Sequence, residues 1–244
     1  MGISTNRIKP MPDTKYENFE YLLSQLPDNL QELNSLFLSV SWENIDFDLI
    51  DFKDDFKIEH QKFINLVLEN IPEWQRLVNC EQHPTHDYNL GIHTILVIKK
   101  IQESAKYKEL NQYGKLVLMY TALLHDIEKL GKEVDPEHPL KGSEKACSIL
   151  YRLGFWEDFI NDVYILIKNH QILGLLAANR INLTMPDLVQ ILKKSLLVEL
   201  LATLSIADIK SVKKNEAFYN ENLGRNIEII RDNLINYFNG GKNV

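Results

Sequence analysis

From residue 88 onward apolar residues recur at helical spacing almost without a break, which commits most of the chain to helices packed on one another. The spacing predicts helices over 88–105, 111–124, 139–153, 156–170, 186–193, 195–213 and 220–238. Gly131, Pro136, Pro139, Gly154, Gly174, Pro186 and Gly224 punctuate them. The run Leu116 to Leu124 is apolar all round, the mark of a helix buried on every side. Upstream, Tyr16 to Val40 keeps the helical period but is interrupted by Pro27, which predicts two short helices. Residues 1–14 carry Pro10 and Pro12 without periodicity and read as a loose arm. From Glu43 to Glu59, Asp46, Asp48, Asp51, Asp54 and Asp55 alternate with Phe47, Leu49, Phe52 and Phe56. A half-buried strand fits the first part of that segment, and an acidic loop ahead of a helix over 57–71 fits equally well. The expected organisation is all-α, a helical bundle over 57–244 preceded by a partly helical N-terminal extension over 1–56.

Composition narrows the function classes. With 244 residues, 45% hydrophobic and 25% charged, the chain is neither disordered, collagen-like nor a disulfide-stapled miniprotein. A formal net charge of −7 repels polyanions, so a protein that coats duplex DNA or RNA is not expected. Cys80 and Cys147 are its two cysteines, too few for a disulfide framework or a cysteine zinc site; they read as buried thiols in a reducing cytosol. The first residues, Met1 to Asn6, lack the apolar core of a secretory signal. Leu116 to Leu124 is about half the length that a membrane span needs. The expectation is a cytoplasmic protein without a membrane partner.

The informative anomaly is where certain His and Asp residues fall. Val163, Leu166 and Ile167 form a stripe whose next member is His170. Leu197, Leu201 and Leu204 form another, continued by Asp208. His93 shares a face with Leu90, Val97 and Ile101, and the buried run 116–124 ends directly at His125-Asp126. A single core histidine is ordinarily a hydrogen-bonded structural residue. An unpaired buried carboxylate is harder to explain, because burying a charge costs several kcal/mol unless something positive answers it. Four such cases together point to a metal centre. The dipeptide alone says little, since His86-Asp87 repeats it inside the polar run Gln82 to Asn89, which reads as a loop. Imidazole and carboxylate donors suit Mn²⁺, Fe²⁺, Co²⁺, Ni²⁺ or Zn²⁺.

In chain order the candidates are His93, His125-Asp126, His138, His170 and Asp208. That order on an all-α scaffold resembles the HD-domain superfamily of metal-dependent phosphohydrolases, over about residues 71–223. Within it the chain looks most like the HD domains attached to bacterial nucleotidyltransferases: the uridylyl-removing half of the bifunctional enzyme that modifies the PII signal protein, and the CCA-adding and poly(A) polymerase-like proteins. The segments "IPEWQRL…HPTHDYNLGIHTI", "LLHDIEK", "HPLKGSEKACSILYRLGF", "LIKNHQILG" and "LATLSIADIKSV" each look like a motif of that superfamily. Glu128 stands where the superfamily usually has glycine, adding negative charge beside the expected anion site, and Arg180-Ile181-Asn182 replaces an Arg-Arg-Asp run. No nucleotidyltransferase motif is present, so the transferase half is not expected.

The resemblance implies one metal held by His93, His125, Asp126 and Asp208, and a second held by His138 and His170 with Asp126 as bridge. Two divalent ions against two carboxylates would leave a pocket of charge +2, matched to a phosphate group. Lys129 would then stabilise charge on that phosphate as a catalytic residue beside Asp126, with His86, His83 and Arg180 as candidate substrate contacts. Lys210, Lys213 and Lys214 read as a solvated face. The expected function is hydrolysis of a phosphoester in a nucleotide, a nucleotidylated protein or an RNA end, with a compact phosphorylated molecule as substrate. The alternatives are a catalytically silent HD domain that binds a nucleotide or partner, and a di-iron oxygenase of the same fold.

Overall fold

Pro27 divides the first apolar stripe, as its fixed φ and missing N–H require. Helix α1 spans Phe19–Ser24 and α2 Asp28–Ser39, with Asp28 setting a carboxylate in the positive first turn of α2. Helix α3 follows at Ile58–Asn70, then a 3₁₀ turn at Pro72–Arg76. The remaining helices are α4 (Leu90–Glu103), α5 (Ala105–Glu109), α6 (Gln112–Leu124), α7 (His138–Arg152), α8 (Glu157–Lys168), α9 (Ile172–Ala177), α10 (Met185–Leu192), α11 (Ser195–Lys210) and α12 (Ala217–Phe238). This computed structural model describes residues 18–42, 45, 58–84, 86–129, 131–133, 135–212 and 217–240. Among them every regular element is helical, so the chain is an all-α bundle. The predicted arm 1–14, most of the acidic segment 43–59 and the boundary at 56–57 lie outside the described residues.

Local chemistry sets the helix starts. The side chain of Asn89 accepts from the Ile92 amide, Ser104 from Tyr107, and Asn111 from Gly114, capping α4, α5 and α6. Thr184 and Asp187 form a reciprocal capping box on α10. The periodicity does not predict α5, α9 or the 3₁₀ turn, each only five or six residues long. It also carries several helices too far. The 156–170 stripe leaves the helix at Lys168, and the 195–213 stripe at Lys210.

Helix α6 is the axis of the bundle. It packs against α2, α4, α7, α8 and α11, and Leu116 to Leu124 are buried without exception. The N-terminal helices share this core. Phe37 of α2 lies between Phe63 (ring centroids 5.1 Å apart) and Tyr120 (5.0 Å). The Tyr120 hydroxyl donates to Asn34 Oδ1 at 2.7 Å. Leu30, Leu33 and Phe37 are at most 1% exposed, each burial contributing roughly 1.5–3 kcal/mol. No helix among the described residues is long and apolar enough to cross a membrane. A helix buried on all sides can end only inside the bundle, and α6 ends at His125-Asp126.

Candidate metal centre

Five elements meet at the end of α6. His93 comes from the first turn of α4, His125 and Asp126 from the turn after α6, and His138 from the first position of α7. His170 comes from the turn after α8, and Asp208 from the last turn of α11. The His125 turn is reached closely by α7, where a Cβ on Gly142 would stand 3.4 Å from the His125 carbonyl. The departure of the chain from α8 at Lys168 matters here. His170 is placed by a turn, with its backbone carbonyl accepting from Ser205 Oγ of α11 at 3.0 Å.

The donor atoms form two groups, His93 with His125 and Asp208, and Asp126 with His138 and His170; within each, the atoms lie within 4.8 Å of one another. Asp126 joins the groups. Its Oδ2 lies 3.4 Å from His125 Nε2 and 3.9 Å from His93 Nε2. Its Oδ1 lies 3.3 Å from His138 Nε2 and 3.8 Å from His170 Nε2. Asp208 Oδ1 is 3.1 Å from His93 Nε2 and 3.9 Å from His125 Nε2.

The other face of every ring meets a backbone carbonyl. Nδ1 of His93 faces Ser211 O at 3.3 Å, His125 faces Ala122 O at 2.8 Å, His138 faces Asp135 O at 2.5 Å, and His170 faces Ile167 O at 2.8 Å. A carbonyl accepts only, so each Nδ1 carries a proton, and a ring in its neutral form turns its Nε2 lone pair inward. The buried Nε2 atoms of His93 and His125 accordingly have no hydrogen-bond partner. Lone pairs converging on carboxylate oxygens repel unless a cation lies between them. This is the donor set and outer support that a metal-ligating histidine uses, so these buried His and Asp groups can hold a metal ion.

Electrostatics agrees with the geometry. Burial would raise Asp126, but His125 and Lys129 outweigh it and hold its carboxyl well below the usual range. Burial likewise works against ionised Asp208, and His93 and His125 bring it below the usual carboxylate range. Burial and the neighbouring His125 push His170 down to about 4, leaving a neutral ligand at neutral pH. For His138 burial opposes the charged form, but the contact with Asp126 prevails and raises its pKa. A proton there stands in part where a cation would.

Lys129 lies just past the HD turn, its amide bonded to Asp126 O at 3.0 Å. Its Nζ donates to Asp126 Oδ2 at 3.1 Å and to Gln82 Oε1 at 2.9 Å. Gln82, 7% exposed, has no signal of its own in the sequence; it lies in what reads as an ordinary polar loop. Above the donors opens a cleft of about 430 Å³, lined by Asp126, Asp208, Lys129, His86, His170 and Arg180 among others. Arg180 is set at its rim by the end of α9. Asn179 takes a left-handed φ of 55°, its amide bonds Leu176 O, and the Arg180 amide bonds Leu175 O at 2.9 Å, the Schellman arrangement that closes a helix. Burial and the Lys129 charge lower His86 to about 4, so it too is neutral.

Other residues singled out in the sequence fall elsewhere. His83 and the exposed Lys210 are not among the side chains lining the cleft, and Lys213 and Lys214 lie outside the described residues. The charge expected from Glu128 beside the anion site is instead turned away. Its carboxylate pairs with Arg76 Nη2 at 2.8 Å, and Arg76 also donates to Ile127 O. Arg76 comes from the 3₁₀ turn, which the sequence pattern does not predict. No family model matches the chain, and no curated protein does; its chemistry is read from its own side chains.

Proposed function

We propose that this chain is a metal-dependent phosphohydrolase of the HD-domain superfamily, acting on a phosphoester of a nucleotide, a nucleotidylated protein or an RNA end. One observation carries the reading. Asp126 divides its two oxygens between two His/Asp groups, and each of the four imidazoles has Nδ1 turned to a backbone carbonyl, which leaves Nε2 as the ring atom facing the carboxylates. His93, His125, Asp126 and Asp208 would hold one divalent transition ion, and Asp126, His138 and His170 a second.

Ions there supply Lewis acidity toward a phosphoryl oxygen and make water acidic enough to attack near neutral pH. The protein supplies the rest. Asp126 and Asp208 balance Lys129 and Arg180 in the cleft lining, so every divalent cation added makes the cleft positive and favours an anionic ester. Lys129, anchored by Gln82, holds a positive charge one turn from Asp126, where charge gathers on a phosphoryl group. His86, neutral and lining the cleft, can exchange a hydrogen bond with the ester. The net charge of −7 opposes binding of long duplexes and favours a compact substrate.

The test is metal analysis of protein purified without chelator, followed by a panel of phosphoesters assayed with Mn²⁺, Fe²⁺, Co²⁺, Ni²⁺ and Zn²⁺. Two ions per chain, one of them lost in His138→Ala and both weakened in Asp126→Asn, is the expected result. A protein that retains no ion under any loading, or that turns over no phosphoester when loaded, removes the proposal.

A further inference from the structure

The cleft also has an apolar lining that phosphate chemistry leaves unused. Besides its charged residues it is lined by Leu175 and Ala178 at the end of α9, Ile209 and Val212 at the end of α11, and Leu223 of α12. All five are half-buried, whereas the core stripe of α11, Leu197, Leu201 and Leu204, is fully buried. The two sets are separate by helical register: Asp208 continues the core stripe, and Ile209 and Val212 lie beside it facing the cleft.

This wall is held in place by contacts that have no part in holding the donor atoms. The α9 and α11 helices approach where a Cβ on Gly174 would stand 3.5 Å from Ile209 Cδ1. The side-chain amide of Asn226 on α12 donates to Ala177 O at 3.3 Å, tying the third helix to the end of the first. Five apolar side chains from three helices thus form one surface that adjoins Lys129, Asp126 and Asp208 in a single cleft. An apolar surface next to a charged end suits a ligand with the same division, an anionic group at one end and a flat apolar ring at the other.

Resting on the phosphoester reading for its charged end, we infer that Leu175, Ala178, Ile209, Val212 and Leu223 are specificity-determining residues that seat a flat ring carried by the phosphoester. They select ring-bearing esters over small aliphatic ones. Arg180 is exposed at the rim of the same cleft. Covering much of one phenyl ring with apolar side chains is worth about tenfold in affinity.

The experiment uses phosphonates, whose C–P bond is not cleaved, so that binding is read without turnover. Full-length zinc-loaded protein with labelled Leu, Ile and Val methyl groups is titrated with phenylphosphonate and, separately, methylphosphonate. Phenylphosphonate should bind about tenfold more tightly and shift the methyl signals of Leu175, Ile209, Val212 and Leu223. Ala178→Leu, which fills the wall, should abolish the difference while leaving zinc content and methylphosphonate affinity unchanged; Leu223→Ser should reduce it. Equal affinities with unmoved wall methyls would overturn the inference while leaving the phosphate reading intact. If instead benzyl alcohol shifts the wall methyls as strongly as phenylphosphonate and methylphosphonate fails to bind, the wall stands and the phosphate reading falls.

Discussion

Asp162 and Asp126 are both sealed from solvent, 1% and 4% exposed, yet they meet opposite surroundings. Each oxygen of Asp162 has a proton donor. Tyr113 Oη donates to Oδ2 at 2.9 Å, and the Lys194 ammonium pairs with Oδ1. Asp126 has the Lys129 ammonium on Oδ2, and its remaining neighbours are imidazole Nε2 atoms of rings whose Nδ1 faces a backbone carbonyl. The difference teaches how to tell a structural buried charge from a functional one. A carboxylate met by donors is complete within the chain, whereas one met by imidazole Nε2 atoms can take a cation between them.

The largest expected effect sharpens that contrast directly. Asp162→Ala strands Tyr113 Oη and the Lys194 ammonium, and should cost about 3 kcal/mol, toward the low end for a broken buried pair because Lys194 is 32% exposed. The loss should be the same with and without metal when followed by denaturant unfolding. Asp208→Ala should do the reverse, remaining folded while losing metal. Chelation should then lower the stability of wild type and of Asp162→Ala by about 2.7 kcal/mol for each bound ion at an ion concentration a hundredfold above Kd, and that of Asp208→Ala by one ion's share less. Equal responses of Asp162→Ala and Asp208→Ala to chelator would erase the distinction drawn between the two carboxylates.

Lys129→Ala probes the one donor that Asp126 does have. Metal content should persist, because an ammonium is not a ligand, while kcat on the true substrate falls ~10²-fold with KM little changed. Full activity in that variant would reduce Lys129 to a counter-ion of Asp126, like Lys194 beside Asp162. The smallest effect is expected at Glu128. Since its partner Arg76 is 43% exposed, Glu128→Gly should change stability through the lost pair by less than about 1 kcal/mol and leave metal content alone. A large gain in affinity for anionic substrates would show that its charge does reach the cleft.

Much of the donor set was legible in advance, and for a definite reason. His93, His170 and Asp208 betray themselves by standing where a helical apolar stripe predicts a hydrophobic residue, and His125-Asp126 by ending a helix that is apolar all round. Those signals are local. His138 sits on no such stripe and is legible only through its place in the ordered motif. Arg180 could be marked as a candidate contact, but its position on the rim comes from the left-handed turn at Asn179, which periodicity does not show. Gln82 and Arg76 were unreadable as site residues, one in a polar loop and the other in a five-residue 3₁₀ turn.

By itself the sequence determined the helical class, the burial of α6 and the residue types delivered to its end, because periodicity and capping act within a few residues of chain. Local turns orient His125, His138 and His170, whose Nδ1 partners lie three residues before them, whereas tertiary structure alone decided how His93 faces. The carbonyl that orients His93 belongs to Ser211, 118 residues away, and the amide that anchors Lys129 belongs to Gln82, 47 residues before it. It also decided that Glu128 answers Arg76 rather than the cleft, and that Leu175, Ile209 and Leu223 share one wall. The orientation of His93, an ion pair's partner and the lining of a cleft depend on which distant segments touch, and no local pattern in a chain carries that information.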